Sequence, residues 1–174
     1  MRLYILLLMF TCLGVSAQNE YMSWEDLSIN KKIPLTISKK DFDKKYDGNY
    51  EVIPTEPQET CSADKSNVVI IDYKGVHFEV VGDTLQFRSI DFSQRRNMYI
   101  QFRDDDWFDH TTTLKYFKKA YPIIGDMSEE YIDENGEVAE ILTFFPEDKN
   151  APYEWRLYFT NGKLEFMECF LYCP

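Results

Sequence analysis

Apolar and polar residues alternate most regularly in Glu154–Tyr172, where two such runs flank Asn161-Gly162. Asn-Gly between alternating runs predicts a β-hairpin, because a type I′ turn needs φ > 0 at both central residues. A two-residue turn sets Thr160 opposite Lys163, Phe159 opposite Leu164 and Leu157 opposite Phe166. One face then carries Trp155, Leu157, Phe159, Leu164, Phe166 and Phe170. The other carries Arg156, Tyr158, Glu165 and Met167. One apolar and one mixed face is the pattern of an antiparallel sheet packed on one side.

The same alternation predicts a meander over Val68–Ile90. Val68–Tyr73, Val76–Val81 and Thr84–Ile90 read as strands, joined by turns at Lys74-Gly75 and Gly82-Asp83. Two-residue turns put Val69, Ile71, Phe78, Val80, Leu85 and Phe87 on one face. Shorter strands are predicted at Ile33–Ile37, with Pro34 at a sheet edge, at Met98–Phe102 and at Glu137–Phe145. Helical spacing occurs twice. Ser38 to Asp41 forms a capping box ahead of Phe42 and Tyr46, and Asp47-Gly48 ends that helix. Thr111-Thr112-Thr113 caps a helix carrying Leu114, Phe117 and Tyr121, stopped by Pro122. Residues 49–67, with two prolines and few apolar positions, read as a loop. Residues 125–137 are acidic, with a turn at Asn135-Gly136.

The two helical stretches are alike. Phe42-Asp-Lys-Lys-Tyr46 matches Phe117-Lys-Lys-Ala-Tyr121, and Gly82-Asp83 with Leu85-x-Phe87 matches Asn161-Gly162 with Leu164-x-Phe166. We read two α-β-β-β units, about 33–92 and 98–174, within one domain over 33–174. Runs of strands with two helices predict an α+β fold, an antiparallel sheet covered on one face by short helices.

The N-terminus changes the compartment. Arg2, the apolar run Leu3–Leu13 and small residues at Val15-Ser16-Ala17 predict a signal peptide over 1–17. The apolar run is too short to span a bilayer comfortably, so no membrane span is expected. Acylation on Cys12 is the rival reading, which bulky Met9-Phe10-Thr11 fits poorly. A periplasmic or secreted form follows, with 18–32 as an N-terminal arm. Cys61, Cys169 and Cys173 remain in an oxidising compartment, where a disulfide is the default. Cys169 and Cys173 would sit ~13 Å apart in a straight strand at ~3.3 Å per residue, against the ~7 Å limit for bridging. The bridge therefore starts at Cys61. Cys173 is the favoured partner, since the chain terminus can move to meet it. Cys169 is then a small apolar strand residue.

Charge and missing motifs narrow the chemistry. With 19 basic against 30 acidic residues, the net charge is −11. No basic patch is left for phosphate, which argues against nucleic acid and for a basic protein partner. There is no G-x-S-x-G, P-loop or G-x-G-x-x-G, so no catalytic residue and no cofactor is assigned. Asp104-Asp105-Asp106-Trp107-Phe108-Asp109-His110 is the densest cluster of oxygen and imidazole ligands. It lacks the glycine and spacing of a calcium loop, so no metal is assigned. The other histidine, His77, falls on the mixed strand face opposite Arg88. Candidate partner-binding residues are Asp104, Asp105, Asp106, Trp107 and Phe108, an aromatic pair in an acidic loop, together with Tyr158 on the mixed hairpin face.

Four stretches carry a resemblance: Leu35-Thr-Ile-Ser38 with Phe42 and Tyr46; Phe87-Arg-Ser-Ile-Asp-Phe92; Thr112-Thr-Leu-Lys-Tyr-Phe-Lys-Lys-Ala-Tyr-Pro122; and Trp155-x-x-Tyr-Phe-x-Asn-Gly-Lys-Leu164. The chain resembles small secreted or periplasmic bacterial proteins of uncharacterised function. Its element order is similar to the duplicated helix-plus-sheet layout of β-lactamase-inhibitor-like proteins and outer-membrane assembly lipoproteins. That resemblance implies binding of another protein on an open sheet face. The expectation is a non-enzymatic extracytoplasmic binding module, more sharply an immunity protein or inhibitor of a toxic or degradative partner. The alternatives are a cell-envelope assembly or structural lipoprotein, and a hydrolase with a carboxylate or metal site.

Overall fold

A computed structural model describes residues 20–46, 48–53, 69–103, 106–132 and 136–172. The elements run β1 (Leu27–Ile29), β2 (Ile33–Pro34), β3 (Thr36–Ser38), α1 (Lys39–Tyr46), β4 (Glu51–Ile53), β5 (Val69–Tyr73), β6 (Val76–Val81), β7 (Thr84–Asp91) and β8 (Ile100–Phe102). Then come β9 (Asp106–Phe108), α2 (Leu114–Ala120), α3 (Pro122–Asp126), β10 (Glu129–Ile132), β11 (Val138–Phe144), β12 (Tyr153–Thr160) and β13 (Lys163–Leu171). The fold is α+β and mostly strand, as the alternation predicts.

The large sheet is antiparallel, in the order β10-β11-β12-β13-β7-β6-β5-β4. β7 and β13 meet in the middle through Phe166↔Asp91, Met167↔Ile90 and Glu168↔Ser89. β3 takes the remaining edge of β7, pairing Thr36 with Gln86 and Ser38 with Thr84. A smaller sheet, β2-β1-β8-β9, is also antiparallel. Pro34 sits in its edge strand, where a missing N–H costs no ladder bond.

The turns follow from their residues. Lys74-Gly75 and Asn161-Gly162 both have φ > 0 at each position, as a type I′ turn demands. The Gly82-Asp83 and Asn161-Gly162 turns dock on the two helix starts, and Gly75 O accepts from Asp91 N–H of the neighbouring strand at 2.9 Å. Lys39 N–H donates to Asp83 O at 2.7 Å, and Leu114 N–H donates to Gly162 O at 2.9 Å. The two helices start alike. Ser38 Oγ accepts from Asp41 N–H at 3.1 Å and Thr113 Oγ1 accepts from Tyr116 N–H at 3.2 Å. Pro122 closes α2 and, having no N–H to lose at a first helical position, opens α3. The Glu20 carboxylate accepts from Ile123 and Ile124 N–H, capping α3.

Helices and small sheet all lie against one face of the large sheet. Phe42 of α1 meets Tyr73 and Phe78, with ring centroids 5.1 and 5.5 Å apart. Phe117 of α2 meets Phe159 and Phe144 at 5.4 and 5.6 Å. Phe102 of β8 meets Phe144 at 6.3 Å, and Phe108 of β9 meets Phe117 at 5.3 Å. Fully burying each such ring contributes about 1.5–3 kcal/mol, so this aromatic layer dominates the core. Residues 20–32 belong to it. Met22, Leu27 and Ile29 are buried, and the Trp155 indole N–H donates to Met22 O at 2.8 Å.

The structure corrects the predicted strand register at two points. Phe159 pairs with Leu164 and Thr160 with Lys163, but Tyr158 pairs with Phe166 and Leu157 with Met167. Glu165 is the extra residue of a β-bulge. A bulge sets two residues against one and so reverses inside and outside beyond it. Met167 and Cys169 are therefore buried, while Phe166 and Phe170 turn to the opposite face. Arg88 is the extra residue of a second bulge, so His77 pairs with Ser89 and Ile90 enters the core beside Val76. Four further strands escape the pattern. β1 lies in a mixed polar stretch, β4 occupies 51–53 within the expected loop, β9 lies in the acidic cluster before α2, and β10 lies in the acidic stretch 125–137.

Candidate functional site

The face of the large sheet turned away from the helices has no described element packed over it. Alternation decides which side chains it presents. Trp155, Leu157 and Phe159 are buried in the core, so Glu154, Arg156 and Tyr158 point the other way. The Glu165 bulge adds Phe166, Glu168 and Phe170 to the same side.

These groups form an ordered layer. Tyr131, Tyr158 and Phe166 make consecutive edge-to-face contacts, with centroids 6.3 and 5.6 Å apart. The Tyr158 hydroxyl donates to Glu168 Oε1 at 2.6 Å. Burial, then the Glu168 carboxylate, raises the Tyr158 pKa, so the phenol holds its proton. Next to it, the Arg156 guanidinium stacks 3.5 Å above the Phe170 ring and donates from Nε to Glu154 at 2.6 Å. The Tyr172 hydroxyl also donates to Glu154. Across the sheet, Arg88 Nε lies 3.3 Å from Glu79 Oε2. Glu79 and Glu154, both buried, thus each have a guanidinium at hand. Breaking such a pair leaves an uncompensated buried charge, so each pins its neighbours in one arrangement.

A further line of groups, Asp72, His77 and Ser89, escaped sequence reasoning. The three are cross-strand neighbours. His77 Nδ1 is 2.9 Å from Ser89 Oγ, and His77 Nε2 is 3.8 Å from Asp72 Oδ2. The turn at Lys74-Gly75 implies the Asp72–His77 pair, but the Arg88 bulge, invisible in the alternation, brings in Ser89. Ser89 is only 7 % exposed and is paired to strands on both sides, so its surroundings are ladder backbone.

The residues nominated from sequence do not form one patch. Asp104 and Asp105 lie outside the described residues. Asp106 turns inward and accepts from the Tyr121 hydroxyl at 2.8 Å. Trp107 is 56 % exposed on the small sheet, beside a cleft of about 200 Å³ lined by Thr111, Thr112, Thr113 and Tyr116. Phe108 is core, not surface, because its side chain alternates inward against Phe102 and Phe117. Tyr158 is on the far side of the large sheet, separated from Trp107 by the core. Asp109 accepts from Thr111 N–H and hydroxyl at 2.7 and 2.6 Å, which commits it to a local turn. Among the described residues no group of three or more His, Cys, Asp or Glu side chains converges as a metal site. Cys61 and Cys173 lie outside the described residues, and their pairing with them. Cys169 is a buried free thiol in β13, its pKa pushed up to about 12 by burial.

Family models, curated sequences and solved structures offer no match to this chain. No described helix is long and apolar enough to cross a membrane. What the uncovered face offers is a broad, stiff surface of aromatic rings and carboxylates. Eight strands at ~4.8 Å spacing and about 20 Å in length give a footprint near 750 Å². One partner's share of a standard protein interface is about 800 Å².

Proposed function

We propose that the protein is a non-enzymatic, extracytoplasmic binding module that engages a protein partner on the uncovered face of its large sheet. The observation that carries this reading is the preorganised layer of Tyr131, Tyr158, Phe166 and Phe170, interleaved with Glu154, Arg156 and Glu168. Aromatic anchors held by neighbours lose little conformational entropy on binding, which is what makes them effective at interfaces. The acidic balance of the chain favours a basic partner by steering its approach. Blocking a toxic or degradative protein, as an inhibitor or immunity protein does, suits a broad, ordered sheet face. The leader-like pattern of residues 1–17 supports a periplasmic or secreted location.

Similarity between the two halves supports a continuous plate. Each half runs from a capped helix through four antiparallel strands, one more than the α-β-β-β unit expected from the sequence, docks its helix start on its own hairpin tip, and meets the other half at β7 and β13. We read the two halves as copies of one such unit.

One observation favours a second reading, a hydrolase built on Asp72, His77 and Ser89. Against it, a buried mid-strand serine offers a substrate carbonyl no approach, and ladder pairing consumes the amides an oxyanion would need.

Co-purification from envelope extract at low salt tests the first reading. Wild-type protein and Trp107→Ala should retain the same basic protein, and Tyr158→Ala/Phe166→Ala should lose it. Equal retention by all three would refute the sheet-face assignment. Ester hydrolysis abolished by Ser89→Ala would favour the second reading instead.

A further inference from the structure

β10 ends the large sheet. β11 pairs with one side of it, and no described strand pairs with the other. All four of its residues are exposed. A terminal strand presents a row of backbone N–H and C=O groups that a further strand can complete.

The side chains along this edge are divided by kind. Glu129 and Tyr131 belong to the uncovered face, where Tyr131 meets Tyr158. Glu130 and Ile132 belong to the helix side. Ile132 is 65 % exposed and pairs with Val138, 52 % exposed. The edge thus reads acidic, acidic, apolar, apolar. An antiparallel strand laid along it meets Ile132, Tyr131, Glu130 and Glu129 in that order. Cross-strand pairs favour apolar against apolar and opposite charges against each other. The complementary strand therefore carries two apolar residues followed by two basic ones.

A second copy of β10 is the poorer occupant. In the full antiparallel overlap of two copies each glutamate faces Ile132 or Tyr131, and sliding the copies toward their N-termini sets glutamate against glutamate, so no register gives the carboxylates an opposite charge. The net charge of −11 adds repulsion between copies and attraction to a basic segment.

We infer that the free edge of β10 is a strand-addition site for an extended segment of another protein with the pattern apolar-apolar-basic-basic. The site adjoins the sheet-face surface and shares Tyr131 with it, but binds through the strand edge instead of the face. It uses main-chain hydrogen bonds for affinity and alternate side chains for selection, the general mode of β-augmentation.

The probe is a synthetic, end-blocked ten-residue peptide with Val-Ile-Arg-Lys at its centre, titrated into the full chain. Amide hydrogen exchange at residues 129–132 should slow at saturation. The peptide methylated on alternate backbone nitrogens should lose binding. Glu129→Lys/Glu130→Lys should weaken binding about tenfold and should prefer a peptide with two glutamates in place of the basic pair. Unchanged exchange at 129–132 up to the peptide's solubility limit would overturn the inference. So would equal binding of the methylated peptide. Peptide shifts confined to Tyr158, Phe166 and Phe170, with β10 unprotected, would also overturn it while leaving the sheet-face reading intact.

Discussion

The Glu165 bulge decides which side of β13 faces the core, and two substitutions one residue apart read that out. Met167 is fully buried between the core face and its partners, whereas Phe166 is half-buried on the uncovered face against Tyr158. Met167→Ala removes a buried side chain worth about 1.5–3 kcal/mol in transfer and leaves a cavity, for a total of about 2–5 kcal/mol. Phe166→Ala gives up part of a ring's burial and one edge-to-face contact, worth about 0.5–1.5 kcal/mol beyond area. Its cost should be about 1–2 kcal/mol. The difference, roughly 2 kcal/mol, corresponds to a midpoint separation on the order of 1 M in urea unfolding, with slopes of about 1–3 kcal/mol/M. Both variants should keep the wild-type slope. If Phe166→Ala is the more damaging of the two, β13 runs without a bulge, Phe166 and Phe170 are core, and the uncovered face loses its aromatic anchors.

Other expectations follow from single contacts. Thr113→Ala removes the side chain that accepts from Tyr116 N–H, so thermal unfolding should show a loss of about 1 kcal/mol. Phe108→Ala should cost about 3–5 kcal/mol, while Trp107→Ala, at an exposed position on the same strand, should stay within about 0.5 kcal/mol of wild type; equal losses in denaturant melts would contradict the placement of β9. Cys169 ordinarily would ionise near 9.0 but in the fold is pushed up to about 12. Between these values the unfolded chain binds fewer protons than the folded one, so stability should fall as pH rises from about 9. The raised Tyr121 and Tyr158 phenols act in the same direction. Urea melts across that range should show a shallower early decline in Cys169→Ala, and an unchanged slope would remove the thiol from the account. Peptide mapping after alkylation near neutral pH should find Cys169 modified only in denaturant.

Period-two alternation and turn chemistry made much of the fold legible. Lys74-Gly75, Gly82-Asp83 and Asn161-Gly162 place three hairpins, and Ser38 and Thr113 mark two helix starts, because each depends on local backbone geometry. The bulges at Arg88 and Glu165 were not legible. Met167 and Phe166 are both apolar, so either register buries a plausible set, and the choice falls to packing against β7 and the helices. β1 is silent in the sequence for a related reason: Leu27 and Ile29 become strand residues only by pairing with β8, distant in sequence. The candidate site suffered most. Strict alternation puts Tyr158 on the outward face but assigns Phe166 and Phe170, its companions there, to the core. Trp107 and Phe108 are adjacent, and nothing in their local sequence says which of them turns inward.

Site-specific photocrosslinking tests the central claim most directly. A benzophenone side chain introduced in place of Tyr158, and separately in place of Trp107, is irradiated in envelope extract at low salt. Position 158 should yield one adduct of defined mass that competes away with excess unlabelled wild-type protein, and position 107 should yield none. A defined, competable adduct from position 107 alone would place the partner on the small sheet and contradict the account.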